Sequence, residues 1–451
     1  MIRALSRKLA PLLAGRAPQL TGATLGSLLI RVADASFYLA ISVLLARYLG
    51  PDGYGVYALA LATVSLLALP VQSGLPTLLI REVARYDLAG RWDLLRGIVR
   101  RGDQLTAVLA ALIGLGTVAS VWIAVDILFE SRATFLWAVV LLPLISVGNL
   151  RGAVLRGLRH VVRGQLPEFV VRPGLFVVLL LVTVTVGKAL TPQLAMALHA
   201  GAASVAMVFS IWLLRRSMSR RLRRAGPQYE TRIWLRSLVP LTLLSGIAVI
   251  NGQTDIILLG LLTSSADVGV YRVALSVSTA VVFALGAVNM VIAPLISRTY
   301  ADKDQAGLQR LVTWAARVSV LLAAPAAMFL LLAGGRVLGF VFGTAFASGG
   351  VALGILALGQ LCNAAAGSVA LILNMTGHER DTIVGVGIAA VANLVLNVVL
   401  IPMFGMNGAA SASAASIIIW NVILIRRVRH RVGVASVAWY RPGSDSAAMK
   451  P

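Results

Sequence analysis

Long apolar segments alternate with short polar ones along the whole chain. A helix needs roughly 20 apolar residues to cross the hydrocarbon core of a bilayer, and twelve segments approach that length. None shows the apolar–polar alternation over about ten residues that is typical of a membrane β-strand. The pattern predicts an all-α integral membrane protein. The predicted spans are 22–45, 55–80, 104–128, 134–155, 166–187, 192–214, 237–262, 268–294, 312–333, 350–373, 382–402 and 408–425.

A basic segment near the middle of the chain interrupts this pattern. Residues 215–236 hold eight arginines, one acidic residue (Glu230) and no long apolar run. Since six predicted spans precede the segment and six follow it, we predict two six-helix lobes joined by a basic linker. The predicted parts are a basic cytoplasmic leader at 1–19, a first lobe at 20–214, the linker at 215–236, a second lobe at 237–425 and a basic cytoplasmic tail at 426–451.

An internal repeat supports two lobes. Residues 55–60 read GVYALA and open the second span, and residues 269–274 read GVYRVA and open the eighth. Both spans run in the same predicted direction. The repeat is therefore parallel, with an axis along the membrane normal and a cavity between the lobes.

Composition excludes several other classes of protein. The chain is 59% hydrophobic and 13% charged, whereas soluble domains carry about 25% charged residues. Its net charge of +23 comes from arginines clustered between apolar spans rather than on one folded face, so we expect no nucleic-acid partner. Cys362 is the single cysteine, and no two of the four histidines have ligand spacing. We therefore expect neither a metal nor another cofactor.

The basic residues also predict the orientation of the chain. Most of the 40 lysines and arginines lie in the leader, the even-numbered loops and the tail. Because basic loops stay on the cytoplasmic side, we expect both termini in the cytoplasm and only short outer loops. A basic leader of this kind could lie on anionic membrane lipids.

Ionisable residues inside the spans are the candidate functional residues. Each costs about 2.5–3.5 kcal/mol to insert at the centre of a bilayer, so it usually faces a cavity or a partner. Arg31 and Asp34 share one face of the first span at i,i+3. Arg31 either lines a cavity or pairs with Asp34, and Asp34 is also a candidate for ion coupling.

Two further arginines lie inside spans. Arg172 precedes Pro173 and Gly174, which loosen a helix, and broken helices border substrate sites in transporters. It either lines the cavity, with Glu168 one turn earlier as a partner, or snorkels to the inner surface. Arg317 is near the cytoplasmic end of the ninth span, where snorkelling competes with a role in the cavity.

Asp255 is a further acidic residue inside a predicted span, in the outer half of the seventh. Arg272 enters the eighth span at similar depth, and we predict that the two residues pair. The alternative is a proton or sodium site at Asp255. Amides within the spans either line a sugar-binding cavity or join helices. They are Asn149, Gln253, Asn289, Gln360, Asn363, Asn393 and Asn397.

Known catalytic motifs are either absent from the sequence or lack their usual context. The chain has neither a phosphate-binding Walker A loop nor an HExxH zinc motif. Residues 302–304 read DKD, which imitates the DxD motif of glycosyltransferases, but this lone triplet sits in a short polar loop. We predict that the protein is not an enzyme.

Short motifs occur in a fixed order from about residue 20 to 425, and together they carry a resemblance. They are ARYLGP at 46–51, GYGVY at 53–57, GLP at 74–76, REVAR at 81–85, Asp255 with LG at 259–260, VGVY at 268–271, FG at 342–343, Asn393 with Asn397, and GMNGAA at 405–410. The set resembles the polysaccharide-exporting branch of the multidrug/oligosaccharidyl-lipid/polysaccharide (MOP) superfamily, which includes the O-antigen flippases (Wzx type) and exopolysaccharide flippases.

The resemblance implies two six-helix bundles around a central cavity, as in multidrug-and-toxin extrusion (MATE) proteins. It implies transport of an undecaprenyl-diphosphate-linked oligosaccharide across a bacterial inner membrane, with a polysaccharide polymerase and a chain-length regulator as partners. Because arginine forks match phosphate oxygens, we expect Arg31, Arg172 and Arg317 to bind the diphosphate.

Other functions remain open at this point. A cation-coupled multidrug exporter would require an acidic, aromatic-rich cavity, whereas aromatic residues make up only 6% of this chain. A lipid II flippase of the same superfamily is expected to carry two additional helices. A glycosyltransferase or polymerase would incorporate sugar in vitro.

Overall fold

The computed structural model describes residues 18–69, 74–123, 132–219, 222 and 225–439. Every regular element in these residues is helical, so the predicted all-α class is confirmed. Eight of the described helices are long and apolar enough to cross a membrane, or nine if one bent pair counts as a single span. The remainder of the predicted leader and tail, 1–17 and 440–451, lies outside the described residues.

The helices follow one another with short connections. They are α1 (Pro18–Leu67), α2 (Gly74–Leu88), α3 (Trp92–Ile123), α4 (Arg132–Gly157), α5 (Val161–Leu166), α6 (Arg172–Thr185), α7 (Pro192–Ser217), α8 (Thr231–Leu262), α9 (Ser265–Ala301), α10 (Gln305–Phe342), α11 (Gly350–Ala366), α12 (Val369–Met375) and α13 (Glu379–Val432). A π-helical turn (Pro167–Val171) joins α5 to α6, and a 3₁₀ turn (Thr344–Gly349) precedes α11.

The longest helix, α13, is a hairpin of two spans. Its 54 residues would extend about 81 Å as one rod, far beyond the roughly 30 Å of a bilayer core. Gly405 breaks it with a backbone φ of 54°. Asp381 near its start contacts Arg427 at 3.3 Å and Arg431 at 3.1 Å near its end. The two halves therefore lie side by side.

Helix α1 reverses direction in the same way. Gly50 adopts a φ of 68° and Pro51 follows it. The hydroxyls of Ser42 and Tyr54, which flank this break, are 3.1 Å apart. The two hairpins match two pairs of predicted spans, and the full count of twelve stays a prediction.

Side chains satisfy several helix ends. Asp304 accepts a hydrogen bond from the Gly307 amide at 2.7 Å and caps α10, so one acid of the DKD triplet has a structural role. At the other end of α10, Arg47 donates to the carbonyls of Phe340 and Val341, at 2.7 Å each. These carbonyls have no partner within the helix.

The described chain forms two compact units. Unit 1 contains α1 up to Ile41 and the residues from Leu67 to Gly246, and unit 2 contains Ser42–Leu66 and the residues from Ile247 onward. The chain thus passes between units inside α1 and inside α8. The predicted lobe boundaries, at 214 and 237, stay a prediction.

Each unit has its own apolar core. In unit 1, α4 packs against α2, α3 and α7, and the core extends to Trp234 and Leu238 at the start of α8. In unit 2, α10 packs between α9 and α11, and α11 also contacts α13. Small residues allow such close packing of helices in lipid.

The end of the basic linker is bound to unit 1. The Gln228 amide donates to the Asp93 carbonyl at 3.1 Å, and Arg96 donates to the Ala225 carbonyl at 2.6 Å. Gly97 permits this approach, because a Cβ at that position would overlap the Gln228 carbonyl. Residues 225–230 therefore form a fixed part of the surface of unit 1.

A buried tyrosine holds the same segment. The Tyr86 hydroxyl donates to Glu230 at 3.0 Å and accepts from the Trp234 indole at 3.0 Å. Burial raises the pKa of the Tyr86 hydroxyl above its usual range. The hydroxyl therefore keeps its proton at neutral pH and remains a donor to Glu230.

Candidate functional site

Five charged side chains from three parts of unit 1 form one electrostatic cluster. Arg31 and Asp34 come from α1, Arg156 from the end of α4, and Glu168 and Arg172 from the π-helical turn and the start of α6. The charges of Arg31 and Arg172 act on Asp34, and those of all three arginines act on Glu168. We name these five residues the arginine cluster. The cluster thus holds three cations and two acids, a formal net charge of +1 when both acids are ionised.

The π-helical turn places two members of the cluster. The Arg172 amide donates to the Pro167 carbonyl, five residues earlier, and Pro173 has no amide proton to donate to the preceding turn. One-turn π segments occur frequently at functional sites. The sequence predicted a loosened helix at this position, and the structure places the irregular turn just before Arg172.

A small cavity lies beside this turn. Its volume is about 20 Å³, and Asn149, Glu168 and Arg172 supply its polar lining. With its amide nitrogen facing the carboxylate, Asn149 donates to both Glu168 oxygens at 3.1 Å. Glu168 is thus held by a neutral partner, and Arg172 is not needed to satisfy it.

The arginines of the cluster differ in their exposure and their contacts. Arg31 is exposed, and its guanidinium carbon lies 4.9 Å from the centre of the Phe169 ring. Among the described residues, the ion pairs within 4.0 Å lie elsewhere in the chain. The expected Arg31–Asp34 and Arg172–Glu168 pairs are not among these ion pairs, and they stay predictions. The assignment of these arginines to substrate stays a prediction.

Arg156 is a member that the sequence analysis missed. It lies one residue beyond the predicted fourth span, so the sequence assigns it to the following loop as an ordinary basic residue. In the structure it is half-buried, since the backbones of Gly152 and Gly164 approach closely beside it. Its side chain donates to the Gly152 carbonyl at 3.3 Å. In the sequence, only Gly152 and Gly164 could have indicated that helices pack closely beside Arg156.

Arg317 lies in unit 2, apart from the arginine cluster. Its side chain is exposed, and its Nε donates to the Ala438 carbonyl at 3.0 Å. Its expected role in diphosphate binding stays a prediction.

Asp255 is the centre of a polar cluster in unit 2. Its carboxylate accepts hydrogen bonds from Tyr271 at 2.7 Å, from Asn397 at 2.7 Å and from Ser413. These donors are all neutral, and they come from α9 and from both halves of α13. The structure thus supplies partners other than the expected Arg272, and the predicted Asp255–Arg272 pair stays untested.

Two amide oxygens in this cluster are buried without a hydrogen-bond donor. They belong to Asn393 and Asn397, one turn apart on α13. Together with the Asp255 carboxylate they supply the oxygen ligands that hard cations prefer. Among the other amides, Asn421 bonds Asn363 at 3.0 Å, and Ser368 bonds Asn289. These join helices, as expected for amides within lipid.

The fold and these two polar clusters define a class of protein. Each unit is a bundle of apolar helices with ionisable groups inside it, which is the architecture of an integral membrane protein. Two family models match the chain over more than half of its length. The model of the polysaccharide biosynthesis protein family matches residues 24–300, and the model of the lipid II flippase MurJ matches residues 169–442. The chain therefore belongs to the polysaccharide biosynthesis protein family, as its motifs predicted.

Two curated relatives are flippases from Haloferax volcanii. The probable low-salt glycan biosynthesis flippase Agl15 is 31% identical over 173 residues, which cover 38% of this chain and 36% of that protein. The probable flippase AglR is 31% identical over 177 residues, covering 38% of this chain and 37% of that protein. The matched part thus spans about a third of each relative.

Solved structures share the fold. An inward-facing MATE-family multidrug transporter superposes with a TM-score of 0.73 at 15% identity, covering 89% of this chain and 94% of the transporter. The lipid II flippase MurJ in an inward closed conformation gives a TM-score of 0.70 at 10% identity, covering 90% and 87%. The predicted MATE-like fold is confirmed.

Proposed function

We propose that this protein is a flippase that carries a lipid-linked oligosaccharide across a membrane, and that the arginine cluster binds the diphosphate of the lipid. Three arginines whose charges all act on Glu168 carry the proposal, and the ion pairs within 4.0 Å among the described residues do not include them. The substrate that the sequence predicts is an undecaprenyl-diphosphate-linked unit for O-antigen, capsule or exopolysaccharide synthesis. The predicted site of action is a bacterial inner membrane.

The chemistry of the substrate supports this assignment. A lipid diphosphate carries about two negative charges, and hydrocarbon strongly rejects charged groups. Guanidinium forks stay protonated and match phosphate oxygens in pairs. The arginine cluster therefore offers the headgroup a path, while the lipid tail stays in the bilayer. The polymerase and the chain-length regulator expected as partners belong to the same proposal.

Substitution of two arginines tests the site. We expect Arg31→Ala and Arg172→Ala each to reduce flipping of a fluorescent lipid-diphosphate oligosaccharide in proteoliposomes by about 10-fold or more, because each removes a charge-assisted contact of about 1.5–3 kcal/mol. Arg163→Ala is the matched control, since Arg163 is an exposed arginine of the same unit. Full flipping by both cluster variants, with normal insertion, would reject the assignment.

The charge of the cluster also separates this function from drug export. One net positive charge repels a cationic drug and attracts a phosphate. Dye-efflux measurements should therefore show no export of cationic dyes by cells that produce the protein. Dye export lost on Asp34→Asn would favour the multidrug alternative, and flipping of lipid II itself would favour the MurJ-like one.

Coupling to an ion is a second role, favoured by the neutral donors and free amide oxygens around Asp255. If a cation binds there, sodium chloride in place of potassium chloride should raise the Tm of the detergent-solubilised protein. Asp255→Asn should abolish that shift, because the amide removes the charge that holds the cation. Asp34→Asn serves as the matched control in unit 1. An equal shift in wild type and Asp255→Asn would exclude sodium at this cluster.

A further inference from the structure

Glu168 places a negative charge among the cations of the arginine cluster. It lies one turn before Arg172, and both side chains line the same small cavity. Arg156 approaches from α4, since a Cβ on Gly164, four residues before Glu168, would lie 2.8 Å from the Arg156 Cγ. All three arginines of the cluster act on the carboxylate, Arg172 most strongly. Glu168 thus lies in the same electrostatic field that would attract a phosphate.

The Asn149 amide holds this carboxylate by hydrogen bonds. With its nitrogen facing the carboxylate, the amide lies 3.1 Å from each Glu168 oxygen, and it also donates to the Ile145 carbonyl at 3.3 Å, one turn earlier on α4. A carbonyl oxygen accepts and never donates, so Ile145 fixes which way the amide faces. Among the described residues, the ion pairs within 4.0 Å do not include Glu168. The partner that orients the carboxylate is therefore a neutral amide.

A carrier must release what it binds. Several guanidinium groups around a diphosphate would form charge-assisted contacts with it, and tighter binding means slower dissociation, because differences in affinity appear mainly in the off-rate. A fixed carboxylate beside the same guanidinium groups repels the phosphate and weakens its binding. The formal net charge of the cluster is +1 with both acids ionised, and it becomes +2 when Glu168 is replaced by a neutral residue.

We propose that Glu168 is the residue that lets the substrate leave, because its carboxylate competes with the diphosphate for Arg172, and that Asn149 positions it for this role. The inference rests on the proposed function. It assigns opposite effects to the two residues. Removal of the Glu168 charge strengthens binding of the diphosphate, whereas loss of the Asn149 amide lets the carboxylate turn to Arg172 and weakens binding.

Glu168→Gln tests the first effect. We expect the Kd for farnesyl diphosphate, a short lipid diphosphate, to fall by about 5-fold or more in titration calorimetry of the detergent-solubilised protein, because one repelling charge is lost. The maximal flipping rate of the lipid-diphosphate oligosaccharide should fall at the same time, since release becomes slower. A merely structural role would loosen the site and raise the Kd. Unchanged or weaker binding by Glu168→Gln would overturn the proposal.

Asp93→Asn is the matched control. It removes one negative charge from the same unit, at a carboxylate that contacts Arg91 at 3.3 Å and lies outside the arginine cluster. Neither the Kd nor the flipping rate should change. A Kd that falls equally in Asp93→Asn and Glu168→Gln would show a general effect of charge and would overturn the role of Glu168.

Asn149→Leu tests the second effect. We expect the Kd for farnesyl diphosphate to rise by about 5-fold, because Glu168 loses its donor and turns to an arginine. In the Glu168→Gln background the same substitution should change the Kd by less than about 2-fold, since a double-mutant cycle isolates effects that act through the other residue. An equal loss of affinity in both backgrounds would overturn the positioning role of Asn149.

Failure of this inference and failure of the proposed function give different results. If neither wild type nor Glu168→Gln binds farnesyl diphosphate, the arginine cluster is not a diphosphate site, and both proposals are rejected. If wild type binds it and Glu168→Gln binds it no more tightly, the diphosphate site stands and the role of Glu168 alone is overturned.

Discussion

At the residue scale, the two polar clusters differ in how they satisfy their acids. Asp255 receives three hydrogen bonds from neutral donors, and Glu168 is held by an amide beside a cavity. Neither Asp255 nor Glu168 has an arginine among these hydrogen-bond partners. Under the proposed function, the guanidinium groups of the arginine cluster bind an anion that arrives and leaves, which a permanent ion pair would prevent.

The Tyr271 hydroxyl is a direct test of the Asp255 cluster. We expect Tyr271→Phe to lower the stability of the detergent-solubilised protein by about 1–3 kcal/mol, because a buried carboxylate loses one donor. Thermal unfolding followed by tryptophan fluorescence measures the change. Tyr300→Phe, at a more exposed tyrosine of the same helix, should leave the Tm unchanged. A Tyr271→Phe protein as stable as wild type would show that the bond contributes little.

The sequence identified some members of these two clusters and missed others. Arg31, Asp34 and Arg172 were predictable because a charge inside an apolar span stands out. Arg156 was not, since one residue beyond a predicted span it looks like any loop cation. The partners of Asp255 come from α9 and both halves of α13. Such non-local pairing depends on the packing of helices, and no spacing in the chain encodes it.

At the element scale, the internal repeat explains a close contact. Gly55 and Gly269 begin the two copies of the repeat, and they pack against each other in unit 2. A Cβ on Gly55 would overlap the Ser265 carbonyl, and one on Gly269 would overlap the Pro51 carbonyl. The repeated glycine thus has a steric cause that is the same in both copies.

We expect Gly269→Val to destabilise the protein by about 1–3 kcal/mol or more, because a branched side chain cannot enter this contact without moving a helix. Size-exclusion chromatography after heating gives a practical readout. Gly252→Val is the control in the same unit, since open space surrounds a Cβ there. If Gly269→Val and Gly252→Val lose stability equally, helix propensity rather than the contact is responsible.

Hydropathy predicted the positions of the helices well. It did not predict their irregularities. The hairpins of α1 and α13 match predicted pairs of spans, because a glycine beside a proline or between apolar runs marks a turn. The break at Gly367 was not predicted. It depends on the chain after α13, where the Ala438 amide supplies a partner for the freed Ala365 carbonyl from some 70 residues away in sequence.

At the scale of the whole molecule, the net charge moved during transport decides the energy source. The membrane potential contributes about 2.3 kcal/mol per charge per 100 mV. Two negative charges leaving a negative interior would gain about 4.6 kcal/mol at 100 mV on the same rule. An electrophoretic flippase therefore needs no ion gradient.

This can be checked in vesicles with an imposed potassium diffusion potential. We expect the flipping rate to rise with the potential that drives the anion, and to persist in the double variant Asp34→Asn with Asp255→Asn. Flipping that requires a pH gradient at zero potential would instead establish proton coupling.

The passage of α8 from one unit to the other has a practical consequence for dissecting this carrier. Trp234 and Leu238 complete the core of unit 1, although Trp234 lies near the end of the basic linker and Leu238 follows it. A cut within that linker, before Trp234, would place these two side chains on the second fragment. The first fragment would then have a cavity in its core, and the second would begin with an exposed apolar segment. Co-expression of separately encoded halves should therefore succeed only when the first half continues through the opening turns of α8.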